Sequence, residues 1–109
     1  MTTINTDKEI CTIINVFTVE PEKQKELFEN LKEASEKVFK KMPGYISANI
    51  HLGDDGTTVT NYAQWASRQD YKNVFTNAEV KVHMKKAADL AIDFKPVTYS
   101  TIWTDGNND

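Results

Sequence analysis

Two alternating segments joined by one glycine-rich turn limit this chain more than any other feature. From Tyr45 to Leu52, Ile46, Ala48, Ile50 and Leu52 fall on one side and Tyr45, Ser47, Asn49 and His51 on the other. Successive side chains of a strand point to opposite faces, so the pattern predicts a strand with two unlike faces. Gly53-Asp54-Asp55-Gly56 follows and carries the Asp-Gly pair suited to a tight reversal. Thr57 to Trp65 resumes as a strand in which Val59, Asn61, Ala63 and Trp65 share a face. The segments should pair as an antiparallel hairpin, and other elements must cover its apolar side.

The flanking sequence supplies those elements. Ile10 to Val19 is β-branched and apolar on both alternating sets, one of them Cys11, Ile13, Asn15, Phe17 and Val19, as in a strand buried on both faces. Pro21 suits the first turn of a helix, and Leu27, Phe28, Leu31, Ala34, Val38, Phe39 and Met42 follow at the spacing of one helical face. Met42-Pro43-Gly44 should end it. Ser67 resembles an N-cap with Asp70 three positions on, opening a second helical region with Tyr71, Val74 and Phe75. A break is expected near Thr76-Asn77, with Asn77 capping a longer piece whose Val80, His83, Met84, Ala87 and Ala91 lie on one side. Lys95-Pro96 is expected to end that helix, leaving Val97 to Trp103 as a fourth strand.

The order β-α-β-β-α-β predicts an α+β fold of the ferredoxin-like kind, with both helices on one face of an antiparallel sheet. Ile14, Val16, Tyr62 and Ile102 then fall on the uncovered face. An apolar face of that size calls for a partner, and a homodimer with sheets packed together is the expectation.

Composition narrows the function. The 109 residues suffice for one domain, read as residues 9–104 between flexible tails at 1–8 and 105–109. Thirteen basic against 16 acidic residues, a net charge of −3, supply no field for a phosphate backbone, so no nucleic acid is expected as partner. No stretch approaches the roughly 18 apolar residues of a membrane span, and the first residues carry no secretory pattern, so a cytoplasmic protein is expected. The single Cys11 cannot form an internal disulfide and reads as a small buried hydrophobe. Dinucleotide, nucleoside triphosphate and zinc motifs are absent, and His51 and His83 lie on different elements, so no metal site is expected.

Asn61-Tyr-Ala-Gln-Trp65-Ala-Ser-Arg-Gln-Asp-Tyr71, Met42-Pro-Gly-Tyr45, the Asp54-Asp55-Gly56-Thr57 turn and the run Ala78 to Leu90 together resemble the antibiotic biosynthesis monooxygenase family. The resemblance covers residues 9–103. It implies a dimeric α+β barrel of ferredoxin-like subunits, each with a pocket between sheet and helices. Well-understood members oxidise an aromatic polyketide with molecular oxygen as co-substrate and with no metal or organic cofactor. Their asparagine, tryptophan four residues on and tyrosine six further match Asn61, Trp65 and Tyr71. The resemblance thus implies that Asn61 donates a hydrogen bond to a substrate oxygen, Trp65 forms an aromatic wall and Tyr71 shuttles a proton. Asn15, Phe75 and His83 are read as lining the pocket for a small aromatic or hydrophobic molecule. Trp65 and Tyr71 also suit plain core packing, and Asn61 a buried, hydrogen-bonded amide. A binding protein for small hydrophobic metabolites remains the alternative. A haem-degrading branch of the same fold is a further one, although its set is incomplete here: Asn15 matches, but Val74 and Met84 stand where a tryptophan and an axial histidine belong.

Overall fold

The computed structural model describes residues 1–6 and 9–106; the parts of the expected tails at 7–8 and 107–109 lie outside the described residues. Strands β1 (Cys11–Val19), β2 (Tyr45–Leu52), β3 (Thr58–Trp65) and β4 (Ala91–Tyr99) form one antiparallel sheet in the order β2-β3-β1-β4. Helices α1 (Gln24–Lys37), α2 (Arg68–Asn73) and α3 (Ala78–Leu90) connect them. This is the expected ferredoxin-like α+β fold.

The hairpin forms where expected. Asp55 organises its turn by accepting from the Thr57 N–H at 2.8 Å and the Thr58 hydroxyl at 2.7 Å, and Gly56 takes φ +78°. Gln24 Nε2 then ties the start of α1 to the hairpin by donating to the Gly53 and Thr58 carbonyls. The first helix is shorter than its apolar spacing suggests. Pro21–Lys23 and Phe39–Lys41 are 3₁₀ turns, and Val38, at φ −120° and ψ −65°, breaks the α-helical geometry between α1 and the second of them. Leu27, Leu31, Ala34 and Val38 are nonetheless buried as one face.

Gly44 sits at φ +83° at the turn into β2, where its carbonyl accepts from the Ala66 N–H at 2.7 Å. The side chain of Asp70 packs against it. Ser67 caps α2 by accepting from the Asp70 N–H at 3.0 Å, and Asn77 caps α3 by accepting from the Val80 N–H at 3.0 Å. The helical break between them is the 3₁₀ turn Val74–Thr76.

The C-terminal part departs from expectation. The helix ends at Leu90, and β4 begins at Ala91 and closes at Tyr99, so Ala91 to Lys95 is strand and Trp103 is not. Pairing with β1, from Val19 opposite Ala91 to Thr12 opposite Tyr99, outweighs the helical spacing of Ala87 and Ala91. Pro96 is accommodated because β4 is an edge strand. Ile102 and Trp103 therefore add nothing to the sheet, and Trp103 is 83% exposed.

The helices cover the face bearing Cys11, Ile13, Phe17 and Val19. Two buried clusters fill that layer, one around Ile13, Val38, Trp65 and Val80, the other around Phe17, Leu27, Leu31 and Val59. On the outer face Val16 and Tyr99 are each 42% exposed. That face also carries a polar network in which Gln64, 2% exposed, accepts from Ser47 and donates to the carbonyl of Thr3. Thr2 extends the network by donating to Asn49 Oδ1.

Candidate active site

Between the two clusters the layer does not close. A cavity of about 220 Å³ opens between sheet and helices, larger than the ~150 Å³ engineered cavity that holds benzene. Ile13, Asn15 and Phe17 of β1 and Asn61, Ala63 and Trp65 of β3 form its floor. The β1/β3 register places Asn15 directly opposite Asn61. Both residues sit on the helix-covered face because strand side chains alternate and theirs share the phase of Ile13 and Ala63.

The facing amides are the unusual element of this floor. The carbonyl oxygens Asn15 Oδ1 and Asn61 Oδ1 are both buried and neither has a hydrogen-bond partner. A buried polar atom in that condition costs about 1–3 kcal/mol, yet two stand side by side in an otherwise apolar floor.

Trp65 lies on the same strand face as Asn61, about 13 Å along the strand by its rise per residue. It is 4% exposed and packs edge-on against Phe39 at 6.1 Å and Tyr45 at 5.5 Å between ring centroids. It thus belongs to the core and the cavity wall at once. Tyr71 and Phe75 of the α2 region complete that end, edge to face at 5.1 Å. Burial, with the neighbouring Cys11 adding to it, pushes the Tyr71 phenol above its usual range. Burial also raises Tyr45. Both phenols are therefore neutral donors at physiological pH.

Of the residues read from the sequence, Asn15, Asn61, Trp65, Tyr71 and Phe75 converge on the cavity. His83 does not. It faces α1, where Asn30 donates to its backbone carbonyl at 3.2 Å and presents Oδ1 3.3 Å from its Nδ1. Met84 lines the cavity in its place. With His83 turned to Asn30 and Met84 inside, the haem alternative lacks an axial nitrogen. Among the described residues no cluster of three or more His, Cys, Asp or Glu side chains could hold a metal ion. Among the described residues no helix is long and apolar enough to cross a membrane.

Sequence reading missed Tyr45, Phe94 and Pro96, which also line the cavity. Alternation places Tyr45 on the Ser47 side, but a bulge between Tyr45 and Ser47 shifts the register and pairs Tyr45 with Trp65. Phe94 and Pro96 were hidden by the late start assigned to the fourth strand. Their signal was present: they occupy alternate positions, and Phe94 pairs with Phe17 at 5.8 Å.

A ferredoxin-like fold with an aromatic-walled cavity under its helices and two facing amides on its floor defines a class of small α+β proteins with a pocket between sheet and helices. The chain belongs to the antibiotic biosynthesis monooxygenase family, whose profile matches residues 10–86. It is 41% identical over 83 residues, 76% of this chain and 74% of the relative, to tetracenomycin F1 monooxygenase of Streptomyces glaucescens. It is similar to the monooxygenase ActVA-Orf6 of Streptomyces coelicolor, solved in complex with nanaomycin D. That match has a TM-score of 0.77 and 26% identity over 90% of this chain and 92% of the other. SnoaB, a cofactor-independent oxygenase from Streptomyces nogalater, shares the fold, with a TM-score of 0.72 and 17% identity over 88% of this chain and 96% of its own.

Proposed function

We propose that this protein is a monooxygenase that oxidises an electron-rich aromatic of the polyketide type with molecular oxygen and without a metal or organic cofactor. The observation that carries the reading is the facing pair of amides, Asn15 and Asn61, whose buried carbonyl oxygens have no partner, in an aromatic-walled cavity. A phenol or anthrone supplies what they lack, since its hydroxyl can donate to an amide oxygen and its ionised oxygen can accept from an amide N–H. The names of the relatives from Streptomyces glaucescens and Streptomyces coelicolor support the reaction class.

The substrate loses a proton to give a phenolate or enolate, which the amide N–H groups stabilise in a site poor in water. This anion is itself the reductant. It passes one electron to oxygen, the radical and superoxide combine to form a carbon–oxygen bond, and protonation gives a hydroperoxide. Loss of water then leaves a carbonyl, so that CH₂ plus O₂ becomes C=O plus H₂O. The proton that the substrate releases on ionising passes to solvent; Tyr71, held as a neutral phenol, donates the proton to the peroxide oxygen and is reprotonated from solvent. Trp65 and Phe75 hold the ring plane.

The same reading makes the protein a homodimer joined through the outer sheet face, where Val16 and Tyr99 are exposed. Its single unpaired Cys11 suits the reducing cytoplasm. An oxygen electrode with a panel of anthrones, hydroquinones and catechols tests the activity on wild type and Asn61→Ala. Uptake that falls in the variant supports the assignment. Equal rates remove the role of Asn61, and tight binding without uptake makes the protein a carrier instead.

A further inference from the structure

Met84 is the one long α3 side chain that lines the cavity, since Ala87 and Ala88, the other α3 residues in its wall, are small. It faces the strand floor from the helical layer and, among the described residues, brings the only sulfur into that space. The other two methionines lie elsewhere. Met42 packs against the cluster around Trp65 without lining the cavity, and Met1 is fully exposed. Phe75 and Phe94 line the cavity while remaining 43% and 46% exposed, so the space is open to solvent on their side. A thioether donates no hydrogen bond and accepts one only weakly, and the reaction proposed above gives it no task. It is, however, the lining group on which a peroxide acts readily.

We propose that Met84 is a modification site, at which an aromatic hydroperoxide held in the cavity oxidises the thioether to the sulfoxide and so shuts the site down. The inference rests on the proposed function, whose hydroperoxide is the oxidant. A ligand enclosed in about 220 Å³ touches most of the walls around it, so a peroxide formed above Asn15 and Asn61 lies within reach of the sulfur. The sulfur lone pair attacks the terminal peroxide oxygen. The O–O bond breaks as the S–O bond forms, the proton of the terminal hydroxyl passes to the oxygen left on carbon, and an alcohol departs. Sulfur gives up the two electrons that the peroxide takes, so no other reductant enters. Loss of water to the carbonyl is the productive fate of the same hydroperoxide, and transfer to Met84 competes with it once per subunit. The sulfoxide puts a polar, chiral group on an apolar wall, and its reduction by methionine sulfoxide reductases restores the site.

The test maps oxygen addition to the three methionines by peptide mass spectrometry after treatment with cumene hydroperoxide, an aromatic hydroperoxide, or with hydrogen peroxide. Cumene hydroperoxide oxidises Met84 about 10-fold faster than Met42 or Met1, because binding holds oxidant and sulfur together. Hydrogen peroxide follows exposure instead and takes Met1 first. Saturating 2-hydroxymethylanthraquinone suppresses oxidation of Met84 and leaves that of Met1 unchanged. Cumene hydroperoxide that oxidises Met84 no faster than Met1, or oxidation of Met84 that the anthraquinone does not slow, overturns the proposal. The consequence is read from quenching of tryptophan fluorescence by the same anthraquinone. Oxidised wild type binds it about 10-fold more weakly, as a polar group set in an apolar wall predicts, and sulfoxide reductases restore the affinity. Met84→Leu, a swap that nearly conserves volume, keeps its own affinity through the same treatment, and an equal loss in this variant overturns the proposal. Oxygen uptake with an anthrone separates the two readings. No uptake, with cumene hydroperoxide still selective for Met84, overturns the monooxygenase reading alone; sustained uptake that leaves Met84 unoxidised overturns this one alone.

Discussion

Replacing Asn61 by leucine should raise stability and remove activity together. Leucine has nearly the shape of asparagine, so the substitution tests the polar atoms and leaves the floor of the cavity filled. In the resting protein Asn61 Oδ1 is buried with no partner. Removing such an atom recovers about 1–3 kcal/mol of desolvation cost, and a chain of this size gains about 4 °C in Tm per kcal/mol. Thermal unfolding followed by circular dichroism should thus shift upward by about 4–12 °C. The same change deletes a donor to the ionised substrate oxygen, a loss of roughly 10²–10³ in kcat. Asn15→Leu should behave likewise. Because the two residues are cross-strand partners, the double variant should gain less than the sum if the amides interact. A Tm that falls on Asn61→Leu would refute the reasoning, since the amide would then have a partner in solution. A higher Tm with unchanged turnover would separate the strain of the site from its chemistry.

Three further outcomes follow from the structure. Gly44→Ala should destabilise the fold by about 2 kcal/mol or more, because φ +83° is strained for alanine and the added methyl overlaps the Asp70 side chain; urea unfolding measures it, and a loss under 0.5 kcal/mol counts against the tight turn. For Tyr71 the folded state keeps a proton that the unfolded chain releases near pH 10. Its contribution is therefore intact below that pH and is lost as pH rises further, and Tyr71→Phe should flatten the decline in melts as pH rises above about 10. Val16→Lys on the outer face should convert the proposed dimer to monomer in light scattering, and a dimer that persists unchanged moves the interface off this sheet face.

What could be read from the sequence was what neighbouring residues decide among themselves. Asp55-Gly56 closes its turn with its own carboxylate, and Ser67 and Asn77 cap their helices through an amide three residues on, so these features are written locally. The facing of Asn15 and Asn61 is less local, yet it follows from simple alternation on two strands that had to be neighbours. What could not be read depends on a partner strand. Ala91 continues the helical spacing of Ala87 as well as it begins a strand, and only the ladder with β1 decides between them, drawing Phe94 and Pro96 over the cavity. Tyr45 is a stronger case. Period-two alternation puts it with Ser47 and Asn49, but one irregularity against β3 turns it over, since a shift of a single residue exchanges the two faces of a strand. That shift has a chemical consequence. Without the bulge Trp65 would lose the edge-on partner 5.5 Å away, and the cavity would lose part of its wall. The parts of the site legible in the sequence are thus the polar groups that would meet the reacting oxygen, while the parts that decide which molecule reaches them come from register.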